Sequence, residues 1–388
     1  MWQCFLNNPK INKGSSELKK KLVHVSMFYH PVTGGQEVYV ENLNEHVLGD
    51  YEIHVLQPNN YYSKTWPKNI HRTICLPKIN RLIHDLNWFV FNIGIFLKRK
   101  FLKNFDVAIT HYAFHHKWVA RPQIVISHGV DWRVNHSTWS DHYRKSMARK
   151  LKEEQGPNVI VANDTNFLRE IGFDAENVEP FTEISSDVWY IPNCIDTNLF
   201  KCAGLERKKQ ILCPRNIRWE RGIHLAIESL IALAKRKEGD GYVLKIAGGP
   251  LKGSYFESCL RLAEASGLED RIFFLGSQSK AQLLELYQES MLTIIPTMDQ
   301  EGTSLSALES MACGTPVVAT RIGGLIDLPV KLSSVDSESF CESMIEVLTR
   351  HQDYSLEQCR VTRTVFNVER WAEAWRTVIK NFSKRFPT

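Results

Sequence analysis

The sequence predicts an α/β protein built as two doubly wound domains that face each other across a cleft. Three observations carry this. Short apolar strands alternate with amphipathic helices along most of the chain, the pattern of parallel sheets covered on both faces. The alternation breaks at a charged stretch, "KCAGLERKKQ", and then begins afresh. At 388 residues and 43% hydrophobic composition, the chain suits two domains better than one.

In order, residues 1–21 are polar, end in Lys19, Lys20 and Lys21, and lack the apolar core of a signal peptide; they are expected to form a tail. "LVHVSMFYH" (22–30) is the first strand, and "QEVYVENLNEHVL" follows a Gly-Gly turn at helical spacing. "EIHVL" (52–56), "DVAIT" (106–110), "QIVISH" (123–128) and "NVIVAN" (158–163) are further strands. Beyond the charged stretch, strands are expected at "QILCPRN", "YVLKIAGG", "RIFFLG", "MLTIIPT" and "TPVVAT", with helices between them. The expected domains are 22–195 and 196–370, with 371–388 as a terminal helix whose Trp371 and Trp375 share one face.

A net charge of +5 allows an anionic substrate or a membrane surface but falls short of a nucleic-acid binder. Nine scattered cysteines, an odd count without close pairs, read as a reduced, cytoplasmic protein. "WFVFNIGIFL" (88–97) is too short to span a bilayer and is followed by "KRKFLK". It reads either as a membrane-surface helix or as a helix buried on one face. The strand that follows at once favours the second.

In such sheets ligands sit outside the carboxyl ends of the strands, so the turns after strands hold the candidates. Gly34 and Gly35 let backbone approach a phosphate at a helix start, although a tight turn alone also needs glycine. Arg215, Arg218 and Arg221 crowd one strand-to-helix loop, where a planar cation suits a pyrophosphate. His128 ends a strand, and a lone histidine there is more often structural than functional. His111 and His115 have a spacing that suggests zinc, but no carboxylate or thiol lies nearby in sequence.

The fourth turn is "PTMDQEGTSLSALESMACGTPVVATRIGGL" (296–325). Its helix is expected to start near Thr303 or Ser304, with Leu305, Leu308 and Met311 on the buried face. A Ser306–Glu309 capping box competes with that start. Eight positions from Glu301 to Glu309 span roughly 12 Å at helical rise. Glycosidase carboxylates stand about 5 to 9.5 Å apart, so the pair is a poor acid and base. It is also too open for one metal ion. Two ends of an elongated ligand remain, with its anionic middle over the helix start at Gly302 to Leu305.

"EGTSLSALESMACGTPVVATRIGG" resembles the E-x7-E region of glycosyltransferase family 4, retaining enzymes of GT-B fold. Gly34-Gly35, "SHG", "IPNCID", the arginine loop before "GIHLAI", "IAGGP" and "FFLG" follow in the family's order. The resemblance implies that Glu309 holds the ribose hydroxyls and Glu301 the donor sugar. It places the amides of Thr303, Ser304 and Leu305 on phosphate and sugar oxygens, and Arg221 and Gly35 on the diphosphate. His128 would stand near the sugar, with Gly249, Gly276 and Ser277 along the base edge. The family spaces its arginine and lysine five apart, which points to Asn216; Arg215 and Arg218 are the charged alternatives. Cys194 replaces a usual glycine, and Asp327 stands where glutamate is common.

The resemblance further implies a nucleotide-diphosphate sugar donor of UDP, GDP or ADP type, retention at the anomeric carbon, and no metal or other cofactor. The acceptor would be a carbohydrate, a lipid-linked sugar or a small molecule, shaped by residues 57–105 and 130–157, including Tyr61, Tyr62, Trp66, Trp88, Trp132, Arg133 and Trp139. An epimerase of the same fold and a non-catalytic subunit are the rival readings.

Overall fold

The structure is a computed structural model; it describes residues 19–30, 34–59, 65–76, 81–133, 137–153 and 156–387, apart from the side chains of 81–85. Tyr61, Tyr62 and most of the expected tail lie outside these.

The first domain contains β1 (Lys20–Val25), α1 (Gly35–His46), β2 (Tyr51–Pro58), β3 (Ile70–Thr73), α2 (Arg81–Leu97), α3 (Arg99–Leu102) and β4 (Val107–His111). It continues through α4 (His116–Val119), β5 (Gln123–Ser127), α5 (Trp139–Glu153), β6 (Asn158–Ala162), α6 (Thr165–Glu170), β7 (Thr182–Ser185) and β8 (Val188–Tyr190). The strands form one sheet in the order β3-β2-β1-β4-β5-β6-β8-β7, parallel except where β7 turns back on β8.

The second domain contains β9 (Lys208–Cys213), α7 (Ile223–Ala234), β10 (Val243–Ala247), α8 (Ser254–Ala265), β11 (Ile272–Gly276), α9 (Lys280–Glu289) and β12 (Ser290–Ile295). Then come α10 (Leu305–Ala312), β13 (Val317–Thr320), β14 (Lys331–Ser333), α11 (Ser337–Thr349) and α12 (His351–Val365). Its six strands run in the order β11-β10-β9-β12-β13-β14, all parallel.

The last helix, α13 (Val368–Arg385), returns to the first domain. Its Trp371, Trp375, Val378 and Phe382 recur on one helical face and pack with Leu22, Tyr39, Leu43, Ile109 and Ile126. Trp375 also donates from its indole nitrogen to the Tyr39 hydroxyl at 2.9 Å. The expected terminal helix therefore exists but starts earlier than 371. Asn367 caps it, its side chain accepting from the Arg370 amide at 2.9 Å.

Three expectations shift. β1 takes in Lys20 and Lys21, expected in the tail, because ladder bonds to Tyr51 and Glu52 need backbone and not apolar side chains. It ends at Val25, well short of residue 30. There the Ser26 hydroxyl bonds the Phe28 carbonyl at 2.6 Å and turns the chain. The β7–β8 hairpin had no clear signal, since β7 alternates half-buried and exposed positions.

Candidate active site

The arginine loop leaves β9 at the carboxyl edge of the second sheet. Its tight turn depends on Gly222, which sits at φ +68, where an added Cβ would fall 1.7 Å from the Pro296 carbonyl oxygen. The loop thereby lies against the exit of β12, which carries Glu301.

Arg215 and Arg221 converge on Glu301. Arg215 donates from Nη1 to Oε1 at 3.2 Å and also bonds Oε2 through Nη2, making a bidentate pair. Arg221 Nη1 reaches the same Oε2, and Thr297 Oγ1 donates to it at 3.4 Å. Arg215 and Glu301 are each 7% exposed. Burial alone would raise the Glu301 carboxyl, but the two guanidinium charges outweigh it and hold the group below its usual value. Burial lowers the Arg221 guanidinium, with Glu301 opposing. Arg218 is exposed, and Asn216 instead accepts from the Gly249 amide at 3.4 Å. Of the three alternatives for the arginine position, Arg215 is the one that joins Glu301.

Helix α10 begins at Leu305 with Ser304 as its extended N-cap, one or two residues later than expected. The Ser306–Glu309 capping box does not form. Ser306 donates to the Pro214 carbonyl at 3.4 Å, while Glu309 accepts from the Tyr287 hydroxyl at 2.9 Å. Burial pushes the Glu309 carboxyl up to about 7, against the Tyr287 bond. Leu308 and Met311 are fully buried. Leu305, expected beside them, is only half-buried and faces the other domain, where an added Cβ on Gly35 would lie 3.5 Å from its Cδ1. The helix start is thus presented to the cleft, and Gly34 and Gly35 stand opposite it at the head of α1.

Gly249, Gly276 and Ser277, expected along the base edge, lie close together. Gly276 takes φ +70, and an added Cβ on Gly249 would lie 2.7 Å from Ser277 Oγ. Ile217 donates to the Gly249 carbonyl at 2.9 Å, tying this edge to the arginine loop.

The two domains meet along a polar seam. The Thr303 amide and hydroxyl bond Asn163 at 2.6 to 2.9 Å, and the Asn193 amide donates to Thr303 Oγ1 at 3.0 Å. The Thr303 amide, expected on the ligand, is therefore given to Asn163, which leaves the Ser304 and Leu305 amides at the open helix start. Asp327 accepts from the Thr165 amide at 2.8 Å and its hydroxyl at 2.5 Å. A cavity spans the seam, lined by Gly129, Asp131, Trp132, Asp164 and Glu301.

His128 projects from the end of β5 and is 8% exposed. Its Nε2 lies 2.9 Å from His111 Nδ1, and the His111 Nε2 lies 3.0 Å from His24 Nδ1. The His24 Nε2 in turn meets Asn44 Oδ1 at 3.0 Å. Burial pushes His128 down to about 3 and His24 to about 4, so the rings stay neutral. His111 and His115, paired in the zinc reading, serve different partners: His115 bonds Asn92 at 2.5 Å in a separate core.

The chain matches the family model "Glycosyl transferases group 1" over residues 196–332. Residues 196–332 form a domain similar to group 1 glycosyl transferases. Arg215, Arg221, Tyr287, Thr297, Glu301 and Glu309 all fall inside that domain. A D-inositol 3-phosphate glycosyltransferase from Corynebacterium urealyticum is 38% identical over 232 residues, 54% of this chain and 51% of that enzyme. The chain spans between 20% and 62% of the length of the first curated relatives it matches. Sucrose-phosphate synthase from Thermosynechococcus elongatus shares the fold with a TM-score of 0.72 at 18% identity, covering 94% of this chain and 99% of that one. Anabaena HepE, crystallised with UDP and glucose, gives 0.70 at 16% identity over 93% of this chain and 100% of its own. The fold of this chain is the GT-B fold of these neighbours.

Sequence reasoning missed Asn163, Asp327 as a seam residue, Tyr287, His24 and Asn44. Thr297, also missed, lay within the stretch already singled out and Asp327 two residues past it; the others are polar residues on ordinary strands, helices and turns, with no local signal.

Proposed function

We propose that this chain transfers a sugar from a nucleotide-diphosphate donor to an acceptor hydroxyl, with retention at the anomeric carbon. The observation that carries the reading is the Arg215–Glu301–Arg221 cluster beside the start of α10, with the Tyr287-held Glu309 further along the same helix. The donor's diphosphate would exchange with Glu301 for the two guanidinium groups. That frees the Glu301 carboxylate for sugar hydroxyls, while Glu309 takes the ribose diol.

Reaction proceeds on one face of the sugar. The bond from the anomeric carbon to the phosphate oxygen breaks, the bond to the acceptor oxygen forms, and the acceptor proton passes to the leaving diphosphate. Arg215, Arg221 and the helix start stabilise the charge that grows on that diphosphate, a contribution on the order of 10²-fold per donor. Two guanidinium groups suffice for this neutralisation, so no metal is required. The seam keeps water from the reacting carbon.

UDP and glucose in the Anabaena neighbour favour a uridine diphosphate hexose over GDP or ADP sugars. A thermal-shift panel of all three tests this, since a ligand at a hundred times its Kd stabilises by about 2.7 kcal/mol. If none of the three families stabilises the protein, the donor assignment fails.

A peripheral membrane contact has its own observation. No helix among the described residues is long and apolar enough to cross a membrane. Yet α2 exposes Leu86, Ile93, Phe96 and Leu97 on its outer side, and half-buried Phe89 stacks on the exposed Trp139 at 5.1 Å. From Asn87 to Phe105 the chain has Lys98, Arg99, Lys100 and Lys103 and no acidic residue. An apolar face ending in four cations fits an anionic bilayer surface, each cation near it adding about 1 kcal/mol. Such a surface would bring a lipid-linked acceptor to the domain that shapes its site. Flotation with anionic vesicles should recover the protein, and Ile93→Asn with Leu97→Asn should abolish recovery. Equal recovery of both proteins, or none of either, sinks the contact.

A further inference from the structure

The three buried histidines form a continuous row because of strand register. His24 on β1 pairs with Ile109 on β4, and His111 lies two residues beyond Ile109 on the same face of the sheet. His111 pairs with Ile126 on β5, and His128 lies two residues beyond that. Each step climbs two residues toward the carboxyl edge, where the cleft is. The row continues the apolar face of Leu22, Val107, Ile109, Ile124 and Ile126, which α1 and α13 cover. His24 and His111 are fully buried, while Asn44 on α1 is half-buried.

Three ring-to-ring and ring-to-amide contacts near 3 Å allow one hydrogen each. A neutral imidazole carries a single N–H, so the row must point one way throughout. With Asn44 Oδ1 accepting, His24 is protonated at Nε2 and leaves Nδ1 to accept from His111 Nε2–H. His111 Nδ1 then accepts from His128 Nε2–H, and His128 is left with a lone pair on Nδ1. Among the described residues no partner meets that atom. Reversing the anchor would reverse every ring and turn His128 Nδ1 into a donor.

We propose that Asn44, His24 and His111 are positioning residues that fix the tautomer of His128, so that its Nδ1 presents an acceptor to the donor sugar. The chemical consequence is selection. A neutral sugar offers a hydroxyl hydrogen to that lone pair, whereas a uronate turns a carboxylate toward it and is repelled. The inference rests on the proposed donor site, which His128 adjoins: a Cβ added at Gly302, next to Glu301, would lie 2.3 Å from the His128 carbonyl oxygen. The edge of Tyr39 on His128, with ring centroids 5.2 Å apart, holds the ring plane so that tautomer and direction act together.

Two variants at a residue remote from the ligand test the row. His24→Gln keeps a carbonyl oxygen able to accept from His111. His24→Leu fills the same core volume but leaves His111 Nε2–H without an acceptor, so the row should reverse. Long-range ¹H–¹⁵N correlation of the full-length protein reads the tautomers without any substrate. Wild type and His24→Gln should show protonated Nε2 and bare Nδ1 at His111 and His128; His24→Leu should show the opposite.

With the donor named by the stability panel, kcat/KM for the neutral nucleotide hexose should fall about tenfold in His24→Leu, the worth of one hydrogen bond. It should return in His24→Gln, with acceptor KM unchanged in both and discrimination against the matching uronate narrowed in the leucine variant. A protonated Nδ1 at His111 or His128 in wild type overturns the proposal, as does a reversed row with unchanged sugar selectivity. If His128→Ala leaves donor kinetics untouched while the tautomers stand as described, the sugar-site reading fails and the row survives as structure alone.

Discussion

At Glu301 two guanidinium groups share one buried carboxylate, and replacing it separates binding from chemistry. Glu301→Gln should lower transfer by on the order of 10²-fold or more, because the sugar loses an ionised partner. The same change frees Arg215 and Arg221, so the bare nucleoside diphosphate should bind as tightly as before or tighter; calorimetric Kd and turnover together check the split. Glu309 gives a pH signature. Its carboxyl titrates near 7 because burial disfavours the charge. Ribose hydroxyls that donate to it favour the ionised form, so binding expels a proton below that pH. Donor affinity should fall up to about tenfold per pH unit as pH drops below 7 and stay level above. Glu309→Gln should flatten the profile. Stability runs the other way: the raised carboxyl contributes most at low pH and less as pH climbs from its unfolded value toward 7. The eight-residue spacing of the two glutamates was legible, and their roles are what the family resemblance implies. The choice of Arg215 over Arg218 was not, because it depends on how a turn through Gly222 rotates the loop, and sequence spacing does not encode that rotation.

Among the elements, α13 illustrates what periodicity can and cannot reveal. Its four-residue tryptophan spacing marks an apolar face, and the structure places that face on the first domain's sheet. Trp371→Ala should destabilise the protein by about 3–5 kcal/mol, read as a shift in the urea midpoint. Trp375→Phe, which keeps most of the ring and loses the bond to Tyr39, should cost about 1 kcal/mol. The strand-helix alternation was legible almost throughout, since apolar runs and turn residues set it locally. The β7–β8 hairpin was not, because β7 alternates half-buried and exposed positions without an apolar face, and the histidine row was not, because the sheet's register aligns residues 87 positions apart. His24, Asn44 and His111 each look ordinary until β1, α1 and β4 bring them together.

For the whole molecule, the seam at Thr303, Asn163, Asn193, Thr165 and Asp327 holds the two domains against each other. An added Cβ on Gly302 would fall 2.3 Å from the His128 carbonyl oxygen, so the approach depends on a bare backbone there. Gly302→Ala should keep each domain folded yet hold the cleft wider, lowering kcat at least tenfold and raising donor hydrolysis relative to transfer. X-ray scattering with bound nucleotide should report a larger radius of gyration than wild type; an unchanged radius with normal turnover would falsify the role of the seam.

The return of α13 has a consequence for how this protein can change. Ile195 and Asn367 lie side by side in a bridge, and the Ile195 amide donates to the Phe366 carbonyl at 2.9 Å. The chain enters and leaves the second domain through one doorway, so that domain is a cassette set into the first. On the proposed function, a cassette that reads a different nucleotide would be exchangeable there while the half proposed to shape the acceptor site stays in place. The two adjacent crossings are the covalent joints of such an exchange, and the seam at Thr303, Asn163, Thr165 and Asp327 is the surface that must match with them.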